Sequence, residues 1–265
     1  MTNNFENPLV SILMPIGSIN KYLDKTLCSI NSQTYKNIEL IVACDYLIYD
    51  ELIKIISKYK FKSYIYPLHL SGIGFARNVT INRSNGDFLA PWDSDDISDE
   101  NRLQKQVEYL LQNPDCGIVG TKVELIDENN KIINNQKFKF FQTNKQIRDA
   151  LKYRQPLFHS SMVFRREILF KAKGYLYGHT SEDHELFIRI ARDESILFHN
   201  LNNVCTYYRR HADQLSDFSN LKKHFREVTG FMFSEFLRTG SPYYIIGIFA
   251  NLPIFRRIRH FLRSI

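Results

Sequence analysis

DFLAPWDSDDISDENRLQKQ, residues 87–106, delivers a short apolar run to three carboxylates within four positions, and a polar helix start follows. Phe88, Leu89, Ala90 and Trp92 have the pattern of a buried strand, Asp93, Ser94, Asp95 and Asp96 stand where it ends, and Ser98 or Asp99 can cap a helix over Arg102 to Leu111. Carboxylates this close repel one another unless a cation sits among them. A hard divalent ion takes one or two carboxylates together with phosphate oxygens and keeps some water. Ligands of open α/β sheets lie outside the carboxyl ends of the strands. The stretch therefore predicts a metal–diphosphate site and a phosphate-bearing substrate. Taken alone, DSDD is also an ordinary acidic turn that caps a helix. An EF-hand is excluded, because counting from Asp93 puts Ser98 where its glycine belongs and Gln104 where its glutamate belongs. A phosphatase-type nucleophile would be expected on the first strand, and no matching lysine and acidic partner motifs stand out.

Outward from this stretch, strand and helix alternate. VSILMPI (Val10 to Ile16), IELIVAC (Ile38 to Cys44) and FKSYIYPL read as strands, and Leu23 to Ser32 and Glu51 to Tyr59 as the helices between them. Gly72 to Val79 opens a further helix, and Cys116 to Asp127 is another strand. Beyond Asn129 come a polar stretch, a short helix from Asn144 to Tyr153, the strand-like HSSMVFRR (His159 to Arg166) and a helix from Glu182 to Arg192. The order predicts an α/β fold, a mostly parallel central sheet with helices on both faces. There is no internal repeat. One domain is expected over 1–216, and a basic amphipathic helical region over 217–265.

A chain of 265 residues with 44% hydrophobic and 24% charged side chains can bury a sizeable core. Cys28, Cys44, Cys116 and Cys205 lack CxxC spacing, which points away from zinc and disulfides and toward a reducing compartment. MTNNFENPLV has no basic flank, and no run reaches the ~18 apolar residues of a spanning helix, so neither a signal peptide nor a membrane span is expected. Of the net charge of +7, +6 falls after Asn220, where eight basic residues face two acidic ones. The body is close to neutral, which argues against a nucleic-acid partner.

VSILMP, SQTYKNIELIV, GIGFARN, NGDFLAPWDSDD, HSSMVFRR, GYLYGHTSEDHELFIRIA and YYRRHADQLS follow one another in the order seen in family 2 glycosyltransferases of the GT-A fold. The chain resembles that family from about Pro8 to Ser216, and in particular its bacterial branch that builds O-antigen, capsule or lipooligosaccharide. The resemblance implies a Rossmann-like nucleotide-diphospho-sugar transferase that uses Mn²⁺ or Mg²⁺. Asp93 and Asp95 match the family's DxD, so Asp95 is expected on the metal and Asp93 toward the nucleoside side, with Ser94 between them in the donor-binding set. Asp96 is expected to cap the following helix rather than join the metal's surroundings. Asp183, in SEDHEL, matches the base that takes a proton from the acceptor hydroxyl in an inverting transfer. By itself Ser181-Glu182-Asp183 would be an acidic helix start. His211 is implied as a metal or diphosphate ligand, and Arg209 or Arg210 as a phosphate contact.

Pro15, Asp45, Arg77 and Asn78 are implied at the nucleoside end of the donor. Here the chain departs from its relatives: ACDYLIYD stands where many carry DDGS, and Trp92 replaces an aliphatic residue. The expected donor is a UDP-sugar and the expected acceptor a saccharide or a polyprenyl-linked saccharide. A nucleotidyltransferase would want a Gly-rich phosphate loop that VSILMPIGS does not supply. A catalytically inactive carbohydrate-binding scaffold would be favoured by loss of a DxD or ED carboxylate, and both are present. The tail, YYIIGIFANLPIF followed by RRIRHFLRSI, can lie in a membrane interface with Arg256, Arg257, Arg259 and Arg263 toward anionic headgroups. That places the enzyme in the cytoplasm, peripheral on the inner face of the membrane. Packing of the tail on the catalytic domain or on a second copy in a homodimer is the alternative.

Overall fold

Strand β1 (Val10–Ile16) is buried at every position but Pro15, as expected of an apolar run at the centre of a sheet covered on both faces. It pairs in parallel with β2 (Ile38–Asp45), and β2 with β3 (Lys62–Leu68). On its other side it pairs in parallel with β4 (Phe88–Pro91). The computed structural model describes residues 7–70, 72–133, 139–177, 180–211 and 221–254. Helix α1 (Leu23–Asn31) makes the first crossover, α2 (Tyr49–Ile56) the second and α3 (Ile73–Arg83) the third. The chain thus runs outward from β1 to β3 and returns to lay β4 on the opposite side, and that reversal opens a crevice at the carboxyl ends of β1 and β4.

The other half of the sheet is mixed. After β5 (Ile97–Ser98), α4 (Arg102–Gln112), β6 (Cys116–Ile126), α5 (Asn144–Leu151), β7 (Val163–Arg165), α6 (Arg166–Lys171), α7 (Glu182–Ile190) and β8 (Leu197–Arg209), the strand order is β3-β2-β1-β4-β7-β6-β8-β5. β7 is antiparallel to both β4 and β6, β8 runs parallel to β6, and β5 is antiparallel to β8. HSSMVFRR is therefore not a single strand: His159–Ser161 form a 3-10 turn, and only three residues pair before Arg166 starts a helix. Ser98 lies in β5 and α4 begins after Asn101; Asp99 braces the turn before it, accepting from the Asn101 amide at 3.1 Å.

Trp92 is core, with the Arg102 guanidinium 4.0 Å over its ring. Cys28 is exposed, the other three cysteines are buried, and all four are free. Helices α8 (Leu221–Thr239) and α9 (Pro242–Ala250) are not a detached tail. Val228, Met232 and Tyr244 join Leu186 and Phe187 in one apolar cluster, and the Asn251 amide donates to the Tyr153 carbonyl at 3.1 Å. The expected boundary at 216/217 and Arg256, Arg257, Arg259 and Arg263 lie outside the described residues.

Candidate active site

Four elements converge on the crevice: the loop after β4, the first turns of α3, the start of α7 and the end of β8. The loop after β4 is held from beneath. Asp96 is buried, and its carboxylate accepts from Ser160 Oγ at 2.6 Å and from the Arg209 amide at 2.9 Å. It is therefore neither a helix cap nor a cleft residue but a strut between the loop, the 3-10 turn and β8. Burial, helped by the negative charge of Asp95 and Asp93, pushes its carboxyl well above the usual carboxylate range. Arg209 is also fully buried. Its Nε donates to the Asp95 carbonyl at 2.8 Å, its Nη1 to the Asp127 carbonyl at 2.9 Å, and its guanidinium lies 4.4 Å from the centre of the Tyr22 ring. The structure thus puts Arg209 under the loop as a support, not over it as a phosphate contact. Ser94 accepts from Asn20 Nδ2 at 3.1 Å, and Thr26 Oγ1 donates to the Asp96 carbonyl at 2.8 Å, tying the same loop to the start of α1.

So supported, Asp93 and Asp95 keep partly exposed carboxylates. Asp95 Oδ2 stands 2.8 Å from His211 Nε2, and the His211 ring packs on Tyr22 with centroids 5.1 Å apart. His211 Nδ1 is buried and has no hydrogen-bond partner among the described residues. A carboxylate oxygen and an imidazole nitrogen converging at one spot are a donor pair for a divalent cation, the carboxylate supplying the hard oxygen that Mn²⁺ or Mg²⁺ takes. No group of three or more His, Cys, Asp or Glu residues placed to hold a metal occurs among the described residues. Two protein ligands with the rest left to phosphate and water is the way Mg²⁺ is commonly bound beside a diphosphate. The residues present fit the ion.

Arg77, from α3, crosses the crevice. Its Nη2 is 3.5 Å from Asp93 Oδ1 and its Nε 3.4 Å from Glu182 Oε1, so one buried guanidinium joins the DxD loop to the ED helix. Its Nη1 donates to His159 Nδ1, whose Nε2 is hydrogen-bonded to the Tyr175 hydroxyl. Burial first, and the neighbouring cations Arg77 and Arg102 second, hold the His159 pKa well below its usual value, so the imidazole is neutral and can accept. Asn78, the next residue, turns away. Its amide donates to the Tyr175 carbonyl and accepts from the Tyr175 amide, both at 2.8 Å, which clamps the turn after α6 rather than leaving the side chain for a donor. Gly174 adopts φ +63° in that turn, where a Cβ would run into Asn78 Oδ1.

Glu182 and Asp183 open α7. Burial, partly offset by Arg77 and reinforced by the charge of Asp183, pushes Glu182 up to about 7. Burial also raises Asp183, opposed by Arg77 and by hydrogen bonds that include the His184 amide, at 2.7 Å from Asp183 Oδ1. Asp183 is only partly covered, whereas Glu182 is buried against Arg77. Pro15 and Asp45 lie at neighbouring strand ends. The Asp45 carboxylate accepts from the Leu47 amide at 2.9 Å and caps the 3-10 turn Tyr46–Ile48 that replaces the relatives' small residues.

Among the expected residues, the structure brings Asp93, Asp95, Arg77, His211 and Asp183 together, and leaves Pro15 and Asp45 at the flank. Sequence reasoning missed His159, Tyr175, Ser160 and the ion-pair role of Glu182. HSSMVFRR was visible as a segment, but nothing in linear spacing places residue 159 against residue 77.

The model of the family "Glycosyl transferase family 2" matches residues 11–172. An Escherichia coli O-antigen biosynthesis glycosyltransferase, WbnJ, is 32% identical over 207 residues, 77% of this chain and 80% of that one. A second Escherichia coli relative, the UDP-Glc:α-D-GlcNAc-diphosphoundecaprenol β-1,3-glucosyltransferase WfgD, is 28% identical over 250 residues, 91% of this chain and 94% of that one. Among solved structures, Staphylococcus aureus TarS 1–349 in complex with UDP-GlcNAc superposes with a TM-score of 0.68 at 17% identity, over 86% of this chain and 66% of that one, which shows a shared fold. With more than half its length matched by the family and a relative so similar across most of both sequences, this chain belongs to glycosyl transferase family 2, as a glycosyltransferase of the GT-A fold.

Proposed function

We propose that the enzyme transfers a sugar from a UDP-sugar to a saccharide or lipid-linked saccharide, with inversion at the anomeric carbon, in the assembly of a cell-surface polysaccharide. The O-antigen role of WbnJ supports the pathway, and the UDP-Glc donor and diphosphoundecaprenol-linked acceptor of WfgD support the donor and the acceptor. The observation that carries the chemistry is that Arg77 ties a DxD loop bearing the Asp95–His211 pair to a helix start bearing Asp183.

In this reading Asp183 takes the proton of the acceptor hydroxyl as that oxygen bonds to the anomeric carbon. The carbon–oxygen bond to the diphosphate breaks on the opposite face, and its electron pair leaves with the nucleotide. A pKa raised by burial makes Asp183 a stronger base than an exposed carboxylate, which is what proton abstraction requires. Arg77 fixes the separation of the two halves and opposes the burial that raises the Asp93 carboxyl, with Asp93 toward the nucleoside side. Asp95 and His211 would hold the divalent ion, which supplies Lewis-acid neutralisation of the departing diphosphate. Asp96 and Arg209 keep the Asp95 carbonyl and backbone still. Pro15 and Asp45 form the nucleoside edge, with Ser94 oriented by Asn20.

Calorimetric titration of UDP tests this. Binding should require Mn²⁺ or Mg²⁺ and be lost in Asp95→Ala and weakened in His211→Ala; undiminished binding in excess chelator would refute the metal assignment.

A further inference from the structure

Helix α9, PYYIIGIFA, carries no charge at all, yet one side of it is open to solvent. Tyr244 and Gly247 face inward, and at Gly247 a Cβ would collide with the Lys152 carbonyl, so this side is pressed on the catalytic domain. Tyr243, Ile246 and Phe249, at i, i+3 and i+6, face outward, with Ile246 55% and Phe249 59% exposed. On α8, Leu237 is 69% exposed and Phe233 shares its face, which continues toward Lys222 and Arg226. A surface helix ordinarily turns its apolar stripe to the core and its charges to water. Here large apolar side chains stand on both faces, and exposed apolar side chains of this size on two neighbouring helices mark an interaction site.

The charges decide what covers it. Both acidic residues of these helices are turned inward: the Glu227 carboxylate accepts from the Thr180 amide at 2.9 Å, and Glu235, 1% exposed, is paired with Arg192 and Arg238. The outward face is thus apolar and cationic, with no exposed carboxylate. In sequence the chain continues from Ile254 through Arg256, Arg257, Arg259 and Arg263 without an acidic residue. A second copy meeting this face would set cations against cations. An anionic bilayer offers hydrocarbon for the side chains and headgroup charge for the basic residues. No helix among the described residues is long and apolar enough to cross a membrane.

We propose that the outward face of α8 and α9 is a docking surface for an anionic lipid bilayer, on which the helices lie in the plane of the interface. This stands apart from the donor reading, because none of the residues of this surface is placed in the donor or metal site and the test reads binding to vesicles alone. The full chain is sedimented with vesicles of phosphatidylcholine alone and of phosphatidylcholine with phosphatidylglycerol. Binding should be confined to the anionic vesicles and fall as salt is raised. Combined Leu237→Ser, Ile246→Ser and Phe249→Ser should lower the partition coefficient by about tenfold or more. Lys222→Glu with Arg226→Glu should weaken binding to the anionic vesicles alone, and both variants should keep the unfolding midpoint and UDP binding of the parent. Equal binding to neutral vesicles, no binding to either, or a dimer in solution that the serine variant abolishes would overturn the proposal. Loss of UDP binding in the parent would instead count against the catalytic reading and leave this test intact.

Discussion

Replacing Glu182 by Gln should raise the stability of the enzyme relative to the parent as pH rises from 5 to 8. Glu182 is 6% exposed, and burial lifts its carboxyl from 4.5 to about 7 despite the Arg77 ion pair. Between these two values the folded chain keeps a proton that the unfolded chain has already lost, so stability falls as pH rises through the window and levels off above 7. Integrating that difference from pH 5 to pH 8 gives a loss of roughly 2–3 kcal/mol. A neutral amide removes the titration and with it the slope, whatever fixed effect the amide has on packing. The quantity to measure is therefore the stability of Glu182→Gln relative to the parent at pH 8, less the same difference at pH 5. For a chain of this size it amounts to roughly 5–10 °C in melting midpoint at 2–4 °C per kcal/mol. Differential scanning fluorimetry or urea titration at the two pH values reads it directly. A difference that stays constant from pH 5 to pH 8 would mean that Glu182 is ionised throughout and that Arg77 fully offsets its burial.

Asp183→Asn should lower turnover by about 10²-fold or more while leaving donor affinity largely unchanged, since the base is needed only as the acceptor attacks; equal loss of UDP binding by calorimetry would make Asp183 a ligand or a structural group. Gly174→Ala should destabilise the fold by about 2 kcal/mol or more, because the position combines a left-handed backbone with the Asn78 amide in the way of a Cβ; an unchanged urea midpoint would show that the turn can relax.

The first half of the fold was legible because its strands are apolar runs long enough to carry their own signal and its crossovers are helices of ordinary length. Val10–Ile16 emerges with the same bounds in the sequence and in the structure. The second half was harder to read. β7 pairs over only three residues and β5 over two, too few for a periodic pattern, and their placement is decided by contacts such as Asp96 with Ser160 and Arg209. DSDD announced a polar site but could not say which carboxylate faces inward. Asp93, Asp95 and Asp96 are chemically alike, and only burial separates the two that face the cleft from the strut. In the same way, Arg209 and Arg210 are neighbours of the same type, and β-strand alternation turned Arg209 into the interior. Arg77 is expected at the nucleoside end, while its bridge to Glu182 joins residues more than a hundred positions apart.

Inverting transfer by a single displacement, with Asp183 as the base, is read most directly by proton NMR of the product formed from a UDP-sugar and a saccharide acceptor, followed from the first turnover. An α-linked donor should give a β-linked product, with that signal reduced about 10²-fold or more in Asp183→Asn. An α-linked product formed directly by the enzyme would contradict it.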